Sequence, residues 1–199
     1  MWLQDGLHLM IENWWPTQIG YYDNPNHSSI QTQLVKECLS LMKKTKKGGS
    51  SWISDTTYNT SDGFHEVHKN NKFNFLNKWI LDKVREYIKE TGMTYEINSM
   101  DSWFNVYKQN DFQEYHEHYN SVLSCVYFLK SNNKSSSLII KSPATDFRNI
   151  GHKNFLGINC PVRYKSVAGR LVVFRSYLPH CVEKQKDKDS RISLAYNFY

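Results

Sequence analysis

Two histidines two residues apart, His116 and His118 in "QEYHEHYNSVLSCVYFL" (113–129), stand at the entry to a strand-like run. Residues i and i+2 of a strand point to one face, so "HEH" presents two imidazoles together and turns Glu117 away. Two imidazoles on one face can fill two coordination positions of a transition metal, and a third ligand must then come from elsewhere. A third histidine, His180 in "FRSYLPHCVEKQ", follows another strand-like run, and "RISLAYNFY" (191–199) comes shortly after it. A single histidine at a strand end is usually a hydrogen-bonded structural residue; the downstream arginine-led strand raises the interest of this one. Other histidines are weaker candidates. "HEVH" (65–68) lacks the HExxH spacing and lies among turn residues, so His65 and His68 read as surface residues. His8, His27 and His152 have no partners in view. No Gly-rich phosphate loop and no Ser-His-Asp pattern is present.

These residues need a scaffold, and the chain supplies helices first and strands later. In "SSIQTQLVKECLSLMKKTKK", Ile30, Leu34, Cys38 and Leu41 recur at helical spacing, with Ser28 and Gln31 placed as a capping box. "FNFLNKWILDKVREYIKETG" lines up Leu76, Trp79, Ile80, Val84, Tyr87 and Ile88 and stops at Gly92. The intervening "GGSSWISDTTYNTSDG" is turn-rich, with room for one short strand. Strands are predicted over 96–107, 122–130, 137–141, 162–167, 170–175 and 191–199. "SNNKSS" reads as one hairpin loop and Ala168-Gly169 as another. Many short strands with tight turns predict an antiparallel sandwich or jelly roll, with the two helices covering one sheet. The irregular stretch 143–161, "PATDFRNIGHKNFLGINCP", is long enough to act as a lid, and His152 could then face a substrate.

Composition bounds the rest. A chain of 199 residues suits one domain, 1–199, with helical support over 1–95 and a strand core over 96–199. Hydrophobic residues make up 40% and aromatics 15%, which excludes disorder, and no apolar run has the ~20 residues of a membrane span. Cys38, Cys125, Cys160 and Cys181 show no CxxC spacing. With no basic leader at the N-terminus, they read as reduced thiols in a cytoplasmic setting. Cys125 and Cys181 read as core filler. The net charge of +6 comes with lysine runs at 42–47 and 183–191. A solvated helix end and an alternating loop explain them better than a nucleic-acid surface does.

The runs "SWFNVYKQNDFQEYHEHYNSVLSCVYFLK" and "GRLVVFRSYLPHCVEKQKDKDSRISLAYNFY" resemble the 2-oxoglutarate/Fe(II)-dependent oxygenases common in marine bacteria and their phages, within the prolyl-hydroxylase-like superfamily. The shared features are a W-x-N strand (Trp103 to Asn105), an H-x-H-x5-S-G-x-Y-Y stretch (His116 onward), an F-P-S-x-L-x-H segment (Phe174 to His180) and a final R-I-S-x-x-x-N (Arg191 to Asn197). The similarity extends over nearly the whole chain. Cys125 replaces the usual Gly and Arg175 the usual Pro, and the 143–161 insertion is longer than the usual connection.

The resemblance implies a double-stranded β-helix that holds Fe(II) and uses 2-oxoglutarate as co-substrate and O2 as oxidant. Carried over by position, His116 and His180 are metal ligands. At His118 the wider superfamily has Asp or Glu, so two readings stand: a third ligand, favoured by same-face geometry, or a neighbour of the metal with water or a distant carboxylate completing the sphere. Arg191 would grip the distal carboxylate of 2-oxoglutarate through its planar fork. Ser193 and Tyr107 would assist it, and Asn105, Tyr127 and Asn197 are further pocket candidates, with a core-aromatic reading of Tyr127 equally open. A hydroxylase acting on a peptidyl or amino-acid side chain, in the host cytoplasm if phage-encoded, is the expected activity, with release of succinate and CO2. A three-histidine dioxygenase that does not use 2-oxoglutarate, or a non-catalytic jelly-roll binding protein, are the alternatives.

Overall fold

The computed structural model describes residues 17–49, 51–61, 66–143 and 161–199. The lid reading of 143–161 falls, apart from its two end residues, outside the described residues, as do His8, His65, His152 and Cys160. Two helices form where the apolar spacing predicts them, α1 at His27–Lys44 and α2 at Asn74–Glu90. In α2, Leu76, Ile80, Val84, Tyr87 and Ile88 are buried on one face. The helix ends as Gly92 takes φ +67° and the Met93 N–H donates back to the Ile88 carbonyl at 3.0 Å. The capping box expected at Ser28 is absent. Asn26 holds the cap position without a side-chain bond, so Ser28 falls inside the first turn, and the Ser29 hydroxyl donates to the Asn26 carbonyl instead. Lys43 and Lys44 close α1, where cations suit the helix dipole.

Ten strands are described: β1 Ile19–Asp23, β2 Tyr58–Asn59, β3 Met100–Tyr107, β4 Gln113–His116, β5 Leu123–Lys130, β6 Leu138–Ile140, β7 Val162–Tyr164, β8 Arg170–Arg175, β9 His180–Val182 and β10 Arg191–Phe198. They build two antiparallel sheets, a six-stranded one in the order β1-β8-β5-β10-β3-β2 and a four-stranded one in the order β4-β9-β6-β7. The fold is a jelly roll with both helices on the outer face of the large sheet. The N-terminal part is not purely helical support, because β1 and β2 flank the large sheet on its two edges, which would otherwise present unpaired backbone groups.

Period-two alternation on β10 divides the molecule. Ile192, Leu194, Tyr196 and Phe198 point into the core shared with α1 and α2. Ser193, Ala195 and Asn197 line the space between the sheets. One end of that space is apolar, filled by Phe128, Leu138, Ile140, Val172, Phe174 and Leu178. Its other end is lined by polar side chains.

Neither expected hairpin forms. β5 belongs to the large sheet and β6 to the small one, so "SNNKSS" lies on a crossing between sheets. β7 and β8 are likewise in opposite sheets. The turn at Ala168-Gly169 does form, with Gly169 at φ +88° and its N–H donating to the Phe128 carbonyl at 2.8 Å. From β3 onward every consecutive pair of strands except β6 and β7 lies in opposite sheets, and turn chemistry alone cannot distinguish such a crossing from a hairpin.

Candidate active site

His116 ends β4 and His180 begins β9, and the two are direct cross-strand partners. Their ring centroids are 4.1 Å apart. His118 lies two residues beyond the end of β4, so it joins them by a turn of the chain rather than by strand alternation. Its backbone N–H donates to the Ser176 carbonyl at 3.0 Å, and its ring meets the Trp103 indole edge-on at 5.7 Å. Glu117, expected to turn away from the histidines, lines a second pocket together with His116 and His118. The three histidines each offer a ring nitrogen within 4.8 Å of the others.

The backbone sets which nitrogen is offered. His116 Nδ1 lies 2.9 Å from the Glu114 carbonyl and His180 Nδ1 lies 2.8 Å from the Leu178 carbonyl. A carbonyl can only accept, so each Nδ1 carries the proton and each Nε2 keeps a free lone pair. Burial holds all three rings neutral: it lowers the pKa of His116, pushes His118 down to about 4 with help from His116, and takes His180 well below its usual value. Three convergent neutral imidazoles, two oriented by backbone acceptors, fit a divalent transition metal and leave its remaining positions open.

Arg191 opens β10 opposite Tyr107 of β3 and is fully buried. Its guanidinium lies between the Tyr107 and Phe128 rings, 4.8 and 5.1 Å from their centroids. Nε donates to Ser166 Oγ at 2.8 Å and Nη1 to Ser193 Oγ at 3.3 Å. Nη2 is buried with no partner, and no described carboxylate pairs with the group. A buried cation without an anion is costly, so this position is built to receive one. Burial raises the Tyr107 hydroxyl to about 12 against the opposing pull of Arg191, and Tyr107 donates to Gln113 Oε1 at 3.4 Å.

The cavity between these groups is lined by Asn105, Tyr107, Gln113, His116, His118, His180, Ser193 and Asn197, among others. Asn105 keeps a buried Oδ1 without a partner. Asn197 Oδ1 accepts from Ser124 Oγ at 2.8 Å, and Ser124 in turn meets Ser176. Tyr127 is not at the site. Alternation on β5 turns it to the helical side, where its hydroxyl lies 2.8 Å from His27 Nδ1 and its ring meets Trp79. His68 is half-buried rather than at the surface, bonded to Ser102 away from the cavity. Cys125 is core as expected, whereas Cys181 is half-exposed on β9 because its neighbours His180 and Val182 take the inward positions.

Gln113, Trp103 and Ser166 are site residues that sequence reasoning missed as such. Gln113 shares the inward face with His116, three positions on, because the register shifts between them, and that bulge leaves no mark on the pattern. Ser166 reaches Arg191 from the segment after β7, and nothing in its surroundings signals the contact. Trp103 stands in the W-x-N stretch and carried a usable signal.

A family model described as "Putative 2OG-Fe(II) oxygenase" matches residues 101–197. No curated protein matches the chain. Among solved structures, a prolyl-4-hydroxylase of Pseudomonas putida is similar at 17% identity, over 92% of this chain and 92% of that one, with a TM-score of 0.65. A prolyl hydroxylase of Trichoplax adhaerens, in complex with a hypoxia inducible factor peptide fragment, is similar at 14% identity over 91% and 83%, with a TM-score of 0.63. The viral collagen prolyl hydroxylase of Paramecium Bursaria Chlorella virus-1, as its 2OG complex, is similar at 11% identity over 90% and 94%, with a TM-score of 0.55. At these identities the likeness is one of fold.

Proposed function

We propose, from the family-model match over residues 101–197 and a fold shared with solved prolyl hydroxylases, that this chain is a 2OG-Fe(II) oxygenase using Fe(II), 2-oxoglutarate and O2, and that it hydroxylates an aliphatic C–H bond of a peptidyl or amino-acid side chain. The observation that carries the reading is the pairing of three neutral imidazoles with a fully buried arginine whose Nη2 has no partner. When bound, iron and co-substrate supply the oxidising chemistry, converting O2 and 2-oxoglutarate to succinate and CO2 while a hydroxyl is left on the substrate.

The protein's part is binding, orientation and exclusion of water. His116 and His180 present Nε2, and His118 completes a three-histidine face. Arg191 receives the distal carboxylate of the co-substrate, with Ser166 and Ser193 holding two of its nitrogens so that the third points free. Tyr107, bridged to Gln113, fixes the wall beside it. Because the three imidazoles are uncharged, the dianionic co-substrate faces no protein carboxylate among the described ligands. Phe174 packs edge-on to His180 at 4.8 Å and, with Leu138 and Val182, gives the cavity an apolar wall beside the histidines.

The test is an anaerobic Fe(II) titration with and without 2-oxoglutarate, following the weak visible metal-to-ligand charge-transfer band. A band that needs both components is expected in the wild type, and its loss in a folded His118→Ala variant is expected if that residue is a ligand. Absence of the band in the wild type would overturn the 2-oxoglutarate reading.

A further inference from the structure

The strand face that carries the site continues past the histidines into an outer chamber. Its walls include Trp52, Trp103, Tyr119 and Tyr199, together with the carboxylates of Asp101 and Glu117. None of the described lining residues is Lys or Arg, although the chain carries a net charge of +6. Asp101 precedes Trp103 by two residues on the same face of β3, which places it about 7 Å further out along the strand. Trp103 itself meets His118, so one wall runs continuously from the histidines to Asp101.

The Asp101 carboxylate is half satisfied. Oδ2 accepts from the Tyr199 hydroxyl at 2.8 Å, whereas Oδ1 is shielded from solvent with no partner. Tyr119, at 84% exposure, offers an open aromatic surface at the mouth. Aromatic faces combined with carboxylates are the arrangement that recognises alkylammonium and guanidinium groups.

We propose that the outer chamber selects a peptide with a basic residue flanking the position to be oxidised, its cationic side chain held by Asp101 and Glu117 between the aromatic walls. The inference rests on the oxygenase reading above. An extended peptide advances about 3.3 Å per residue, so the span of about 7 Å from Asp101 to Trp103 matches a basic residue about two positions from the one that reaches the histidines. A peptide fits better than a free amino acid, whose own carboxylate would face Asp101 and Glu117.

The probe is a set of dye-labelled, acetylated and amidated pentapeptide pools, with four positions randomised among uncharged residues and the central one Lys, norleucine or Glu. Fluorescence anisotropy reads their binding to the protein in the presence of Fe(II) and 2-oxoglutarate without O2. We expect the Lys pool to bind at least about ten-fold more tightly than the norleucine pool, about 1.4 kcal/mol, and the Glu pool to bind most weakly. In the Asp101→Asn/Glu117→Gln double variant the Lys and norleucine pools should fall within about two-fold of each other. Asparagine keeps an acceptor for Tyr199, and Asp101→Asn alone, which should lose part of the preference, serves if the double variant does not fold. Equal binding of the Lys and norleucine pools, or a Lys preference that survives both substitutions, overturns the proposal. The charge-transfer band read in the same wild-type samples separates the two readings: a band without Lys preference overturns this inference alone, and Lys preference without a band overturns the oxygenase reading.

Discussion

At the scale of single residues the site is defined by what is left unpaired. Arg191 is fully buried, its Nε and Nη1 are held by two serines, and its Nη2 has no partner. Arg191→Met keeps much of the side-chain volume and removes the fork. It should weaken 2-oxoglutarate about 100-fold, in line with the 2–5 kcal/mol cost of deleting one member of a buried charge pair, while Fe(II) affinity changes little. Titrating the charge-transfer band against 2-oxoglutarate checks this, with Fe(II) binding followed separately. The metal-free variant should lose little thermal stability, because the substitution also removes a buried charge that has no counter-ion. Tyr127→Phe is the contrasting case. Loss of its contact with His27 should cost about 1 kcal/mol of stability and leave co-substrate affinity unchanged, whereas a change in affinity would return Tyr127 to the site.

At the scale of elements, positions depend on where strands cross between sheets. Gly169 closes the segment joining β7 to β8 at φ +88°, and a Cβ there would lie 2.8 Å from Cβ and Cγ of His27 on α1. Gly169→Ala should therefore destabilise the fold by about 2 kcal/mol, combining backbone strain with overpacking. A drop in the thermal midpoint measures it, and an unchanged midpoint would mean that α1 yields at no cost. The two helices were legible because Leu76, Ile80, Val84 and Ile88 repeat at a period that only a helix satisfies with one buried face. β4 and β9 were not. At four and three residues they are too short to show alternation, and they exist because each pairs with the other and brings His116 against His180.

At the scale of the whole molecule, burying three imidazoles makes stability depend on pH. His118 titrates at about 4 in the folded chain against 6.5 for an unburied histidine, and His116 and His180 are lowered too. Below pH 6.5 the unfolded chain takes up protons that the folded chain refuses, so stability contributed by these groups is intact above 6.5 and is lost as pH falls toward 4. The metal-free protein should show a thermal midpoint that declines over this window. His118→Ala should flatten the decline, and added divalent metal should raise the midpoint most near neutral pH, where it does not compete with protons. An identical pH profile in wild type and variant would remove His118 from this account.

The sequence by itself determined the residue types of the site and the class of fold. The H-x-H pair, the later His180 and the R-I-S strand are local patterns, and short strands after two amphipathic helices admit few architectures. Only the tertiary structure decided which face each residue occupies. Tyr127 went to the helical core and Gln113 to the cavity, because facing depends on registers and bulges set by pairing with distant strands. The same holds for Ser166 on Arg191 and for Asp101 beside Tyr199, contacts made by residues 25 and 98 positions apart. Local pattern carries no information about such neighbours, since they meet only when two sheets close on one another.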